Sequence, residues 1–451
     1  MGQHRTRALL RQTRRVLLRL DTPWRNLVVA ASIGALGALA VEAFRQLLFA
    51  LEFLLVGASA GHLVVAAQRL APEMRLLAPA LGALAAGMLL WLAGRGRAPV
   101  PVHHRGDYIE AVAIGRGRLD LRGGLLKVAA SLLVVSTGGA VGREGAMVLL
   151  AAMLASLLGR WLGRTVELRL VVSCGAAAGL AAAYHAPLAG AVFVAEILLG
   201  SLALAQLGPV VVAAVMAYGV AVLLGGRSVL FALPTVPTPG ALQVFIMLVL
   251  GLLGGVLGAG LLRWLQATRS LFTGLRLPLP AAFAIGGLAV GLLSLWQPEV
   301  WGNGYSSIQR LLTSPAAGAA LALVLGLKLL AIGATTGSGA PGGVFTPTLF
   351  VGAAAGSLAA AALVGLGLSP ASEPVYVVLG MAIMLAATTH APVMAALMVF
   401  EMTGQYELLP ILLPACVLAT LVSQRLHPQS VYGLGTEPTS VPPMQPRAPL
   451  R

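Results

Sequence analysis

Two adjacent ionisable residues set among glycines are the clearest chemistry in the 451-residue chain. The segment 136–145, STGGAVGREG, places Arg143 and Glu144 between Gly142 and Gly145, with apolar runs on both sides. Glycines leave backbone N–H groups uncovered, and a helix beginning there aims its positive end at whatever lies in front of it. That is an anion site. A carboxylate beside such a site is itself an anion, so Glu144 can occupy the site and block it, or take a proton and leave. An ionisable group inside a membrane costs several kcal/mol, which makes it a functional candidate by default. The plainer reading is a Glu144–Arg143 ion pair that pins a loop.

A second glycine-rich segment, GSGAPGGVFTP at 337–347, contains a literal GxGxxG from Gly337 to Gly342. As a dinucleotide fingerprint it fails: it follows an apolar helical run rather than a strand, carries Pro341, and meets no acidic residue before Glu373. It keeps the useful physics of that fingerprint. The amides of Val344 and Phe345 at a helix start can hold an anion without Lys or Arg, and weak binding suits rapid release.

These loops must be held by elements of unusual composition. The chain is 58% hydrophobic and 10% charged, with a mean hydropathy of +0.90. No soluble chain of this length normally shows that, so the solvent is a lipid bilayer. Apolar stretches run at about 27–57, 76–94, 124–138, 146–163, 168–225, 241–267, 280–296, 315–335, 347–367, 374–403 and 409–424. Several exceed the roughly 20 residues that cross a bilayer, and others are too short to cross alone. Short or Gly/Pro-broken segments predict helices that stop part-way and line a cavity. The fold class is an all-α polytopic membrane protein.

The chain also repeats itself. Residues 175–196 and 380–401 align without a gap at an offset of 205, with 11 identities in 22 positions, among them His185/His390, Pro187/Pro392 and Glu196/Glu401. Lys127 ahead of the first glycine loop is matched by Lys328 ahead of the second. Duplicated membrane halves with broken helices at matching places are the sign of a channel or transporter whose site lies at the repeat interface. The halves are read as 26–225 and 226–425, after a basic cytoplasmic segment, 1–25, and before a cytoplasmic tail, 426–451, that holds no soluble regulatory domain.

The net charge of +15 follows from topology rather than from a nucleic-acid partner. Arg5, Arg7, Arg11, Arg14, Arg15, Arg19 and Arg25 crowd the N-terminus, and Arg425, Arg447 and Arg451 lie near the other end. Positive flanks mark the cytoplasmic side, so both termini are placed there. Cys174 and Cys416 lie in apolar segments and make neither a disulfide framework nor a metal site. An intramembrane enzyme would have to draw on Ser136, Glu144, His185 and His390, and the repeat accounts for the histidines as matched structural positions. No enzyme activity and no cofactor are expected.

GREGA (142–146), GSGAPGGVFTP (337–347), AAAGLAAAYHAPLAG (176–190) and THAPVMAALMVFEMTG (389–404) together resemble the CLC family of chloride channels and proton/chloride exchangers. The resemblance implies a homodimer with one anion pathway per subunit, each subunit an inverted repeat of many tilted, partly non-spanning helices. It implies that Glu144 is the external gate and that Gly343, Val344, Phe345, Thr346 and Pro347 form the loop that coordinates the anion. Tyr432 matches in spacing the tyrosine whose hydroxyl faces the central anion, although by residue type alone it fits the interfacial aromatic belt equally. Chloride then enters as transported ligand. Two departures stand out. A serine-bearing loop of the family is replaced by 101–110, PVHHRGDYIE, where His103 falls at the serine position and His104 fits nearly as well, as ligand or as part of a solvated loop. Ile197 stands where exchangers have a glutamate that takes protons from the cytoplasm. Glu196 is one residue away, a step of about 100° around a helix that aims its carboxylate elsewhere. These departures, with DYIEA (107–111) and WGNGY (301–305), resemble a bacterial branch regarded as voltage-gated chloride channels of the inner membrane that serve as an electrical shunt in acid stress.

Overall fold

In the computed structural model the described residues are 21–58, 62–94, 108–113, 117–163, 166–199, 204–225, 229–233, 239–314, 318–368 and 372–433. His103 and His104, the basic N-terminal cluster and most of the tail lie outside them. The first half consists of α1 (Thr22–Val56), α2 (Leu63–Arg69), α3 (Pro72–Gly94), α4 (Tyr108–Ala113), α5 (Leu121–Ser136), α6 (Glu144–Leu162), α7 (Leu168–Tyr184), α8 (Pro187–Phe193), a π-helical turn Val194–Leu199, and α9 (Leu204–Gly225). The second half consists of α10 (Ala241–Gly274), α11 (Leu279–Trp296), α12 (Tyr305–Thr313), α13 (Gly318–Gly337), α14 (Phe345–Gly365), α15 (Glu373–Thr389), α16 (Pro392–Thr403) and α17 (Leu409–Leu426).

Among the described residues nine helices are long and apolar enough to cross a membrane, while the segments 168–184, 187–199, 373–389 and 392–403 are apolar but shorter. At 1.5 Å per residue, α1 and α10 reach about 50 Å, more than the hydrocarbon thickness and long enough to span it with some tilt. Packing repeats with the sequence: α6 lies on α7 as α14 lies on α15, and α1 lies on α9 as α10 lies on α17. The short helices α7 and α15 are buried along almost their whole length. A helix enclosed on all sides has no lipid face, and apolar or small residues all round are the consequence. Where α14 meets α15 the backbones nearly touch, and a Cβ on Gly352 would lie 2.2 Å from the Gly380 carbonyl oxygen.

The His-Ala-Pro sequences explain the breaks. Helix α7 ends at His185 and α15 at His390, both left-handed (φ 57° and 60°). Ala186 and Ala391 leave helical geometry, and a proline then opens the next helix, where its missing N–H costs nothing. The amides of Leu188 and Ala189 at the start of α8 donate to Glu401 at 2.9 and 2.8 Å. Those of Val393 and Met394 in α16 donate to Glu196 at 3.3 and 2.8 Å. Each helix thus has its first turn capped by the far end of the other, which is possible only if they run antiparallel. The halves are inverted repeats. They are not identical, because α16 continues as α-helix to Thr403 where its partner widens into the π turn that carries Glu196.

Candidate anion site

The two glycine loops meet backbone to backbone. Gly142 N donates to Gly343 O at 2.6 Å and Gly343 N to Gly142 O at 2.7 Å, the isolated antiparallel bridge that joins the halves at their centre. Immediately beyond it α6 starts at Glu144 and α14 at Phe345, with nearly the same cap geometry: φ −87°, ψ −12° at Arg143 and φ −97°, ψ −1° at Val344. The first backbone bonds of the helices are Met147 N to Arg143 O and Thr348 N to Val344 O. The amides before them have no intrahelical acceptor. Two positive helix ends therefore open at one place, with Gly145 beside Gly343.

Glu144 folds back over this junction. It is 3% exposed. Its Oε1 accepts from Asn303 Nδ2 at 3.1 Å, and its Oε2 is buried without a hydrogen-bond partner. A Cβ on Gly142 would stand 2.1 Å from Oε2, so glycine at 142 is what gives the carboxylate its resting place. The Arg143 guanidinium lies over the rings of Phe49 (5.6 Å) and Tyr305 (5.8 Å), and among the described residues no ion pair joins it to Glu144. The loop is pinned by stacking, and the Glu144 carboxylate is left for other work.

Hydroxyl groups line the same region. The Tyr184 hydroxyl and Thr346 Oγ1 are 3.1 Å apart, and the Tyr184 ring lies 4.9 Å from that of Phe345. The Tyr305 side chain interacts with both Glu144 and Thr346. Tyr432 is brought to the neighbourhood of Tyr184, with its ring 6.0 Å from that of Phe193, and Val431 N donates to Thr388 O at 2.9 Å. Of the residues expected from the sequence, Gly142, Arg143, Glu144, Gly145, Gly343, Val344, Phe345, Thr346 and Pro347 thus sit on two facing helix starts. Tyr184, Asn303 and Tyr305 were not anticipated. Their only sequence signal is polar atoms inside apolar or glycine-rich surroundings.

Comparison with known proteins is consistent with this geometry. Residues 87–424 match the family model described as "Voltage gated chloride channel". The chain belongs to this family, the CLC proteins. It is 47% identical over 415 residues to the "Voltage-gated ClC-type chloride channel ClcB" of Escherichia coli O81 (strain ED1a), covering 91% of this chain and 98% of that one. The protein of the same name from Escherichia coli O157:H7 matches equally. Among solved structures, a slow cyanobacterial Cl-/H+ antiporter superposes with a TM-score of 0.75 at 25% identity, over 90% of this chain and 96% of that one. A CLC-type fluoride/proton antiporter gives 0.73 at 23% identity, over 91% and 97%, a likeness of fold. As a CLC protein, the chain is a multi-pass membrane protein of a family that includes chloride channels and antiporters.

Proposed function

We propose that the protein is a chloride-selective channel that moves anions passively across a bacterial inner membrane and is gated by Glu144. The observation that carries this reading is the buried Glu144 carboxylate lying over the Gly142–Gly343 bridge, where two helix starts converge. Deprotonated, it competes with chloride for the positive potential of those helix ends. Protonated, it has no such attraction and leaves. Gly343, Val344, Phe345, Thr346 and Pro347 supply the backbone that receives the anion, and Tyr432 faces it from within. In this reading the protein is a homodimer with both termini cytoplasmic, and acid-driven opening suits an electrical shunt under acid stress.

Passive movement is favoured over exchange because the position at which the resemblance would put an inner proton-accepting glutamate is Ile197. Ile197 is aliphatic, and both Glu196 carboxylate oxygens are engaged by the start of α16. A proton in the bilayer interior needs a carrier group.

The test is reconstitution in liposomes under a tenfold chloride gradient, with the voltage clamped by a potassium ionophore and with chloride efflux and pH recorded together. Chloride efflux without stoichiometric proton movement is expected. Sustained uphill proton movement would replace the channel reading with a proton/chloride antiporter. Glu144→Gln should raise the flux and remove its pH dependence, and unchanged pH dependence would assign the gate to another residue.

A further inference from the structure

Lys328 is fully buried in α13, and the chloride pathway proposed above gives it no role. Its Nζ lies within hydrogen-bonding distance of four successive backbone carbonyls, Glu299 at 3.2 Å, Val300 at 2.8 Å, Trp301 at 3.0 Å and Gly302 at 2.7 Å, so its three N–H groups serve four acceptors with one of them shared. A 3-10 turn at Pro298–Val300 gathers those carbonyls on one side, like the negative end of a helix closed by a cation. The same stretch is fixed from other directions. Trp301 is buried against Gly138, Gly302 N donates to Gly138 O at 3.3 Å, and Glu299 pairs with Arg310. Gly302 and Gly304 take left-handed conformations (φ 67° and 97°) on either side of Asn303. The chain is thereby bent so that this one side chain is presented to the gate.

Asn303 is held by both ends of its amide. Its Oδ1 accepts from Tyr305 N at 3.3 Å, which turns its Nδ2 toward Glu144 Oε1 at 3.1 Å. A flipped amide would lose both bonds. We propose that Asn303 is a positioning residue that latches Glu144 in its closed pose, with Lys328 setting the latch by holding the backbone that carries it. The inference rests on the reading of Glu144 as the gate. An amide donor binds a carboxylate more strongly than a carboxylic acid, so the latch favours the closed, deprotonated state and releases when a proton arrives. Being an amide, it does so without titrating. The titratable groups facing Glu144 are Tyr184 and Tyr305 from neighbouring elements, with Arg143 beside it in sequence.

The experiment is chloride efflux from proteoliposomes as a function of pH for the full chain, Asn303→Ala, Asn303→Asp, Glu144→Gln and the Asn303→Ala/Glu144→Gln double variant. One hydrogen bond to a charged acceptor corresponds to about tenfold in an equilibrium, or roughly one unit in half-activation pH. Asn303→Ala is expected to raise flux at neutral pH by about that factor and to move half-activation to higher pH, because the deprotonated carboxylate loses one of its donors. Asn303→Asp, which keeps the shape of the side chain and so tests the idea even if the alanine variant does not reconstitute, should move half-activation further the same way. In the Glu144→Gln background Asn303→Ala should change the pH profile no further. Unchanged half-activation in both single Asn303 variants, with Glu144→Gln still abolishing pH dependence, would overturn the latch and leave the gate intact. Retained pH dependence in Glu144→Gln would remove both.

Discussion

The two repeated regions have diverged in opposite ways. The helix pairs around His-Ala-Pro keep their side chains: His185 and His390 adopt the same left-handed geometry, and Glu196 and Glu401 cap one another's helices. The glycine loops keep only their backbone. Arg143 and Val344 share cap angles, yet the next residue is Glu144 in one half and Phe345 in the other. Symmetry is retained where the two halves lock together, and abandoned at the helix starts, where the proposed gate uses a single ionisable group. An inverted repeat with a glutamate at both helix starts would place two like charges at one anion site, and repulsion would force one of them neutral.

The largest effect should come from breaking the symmetric pair. Glu401→Ala leaves two first-turn amides of α8 without their acceptor, one at exposed Leu188 and one at buried Ala189, and Glu196→Ala does the same in α16 at exposed Val393 and buried Met394. Each should lower stability by about 2–3 kcal/mol, the scale for losing hydrogen bonds to a charged acceptor when one of the two donors is at a buried residue. Thermal unfolding in detergent measures this. Near-equal losses would confirm that the carboxylates are matched structural caps, whereas a Glu196→Ala variant of unchanged stability would free that residue for another role.

The glycine loops should respond unequally. Gly142→Ala puts a Cβ 2.1 Å from the Glu144 carboxylate, while the same change at Gly343 meets nothing closer than the Gly145 nitrogen at 3.4 Å. Overpacking strain of about 1–3 kcal/mol falls on the closed pose of Glu144 in the first case, so flux at neutral pH should rise roughly tenfold. Gly343→Ala should change it by less than about threefold, because a contact of that length needs only small adjustment. Efflux rates of the two variants, measured side by side, decide whether equal backbones carry unequal chemistry. Equal responses would mean that the carboxylate does not rest over Gly142.

Much of this was legible in the sequence because repetition and composition are local signals. The offset between 175–196 and 380–401, the proline after each histidine and a glutamate set among glycines can all be read without knowing what touches what. The partners of Glu144 cannot. Asn303 lies 159 residues away, and Tyr184 and Thr346, 162 apart, show no period that would join them. The apolar run 168–225 reads as continuous, yet it folds as α7, α8, the π turn and α9. The widening at Val194–Leu199 leaves no mark in six residues of which five are aliphatic. The one-residue step from Ile197 says only that the Glu196 carboxylate points elsewhere, and the packing of α8 against α16 gives its destination.

The smallest effect, and the finest test of the conserved pair, lies at the histidines. Both end their helices at positive φ, a conformation that β-branched residues resist and asparagine accepts. The His390 Nε2 is 3.5 Å from Ser423 Oγ, a long contact that contributes little, whereas His390 N to Ala386 O at 2.9 Å is a backbone bond any residue in that conformation keeps. The backbone is therefore the main requirement. His390→Asn should change unfolding stability by less than about 0.5 kcal/mol, and His390→Val should lower it by about 1–2 kcal/mol through left-handed strain. Chemical denaturation of the two variants separates the cases. If His390→Asn costs as much as His390→Val, the imidazole itself is required there, and the match with His185 reflects shared side-chain chemistry rather than a shared turn.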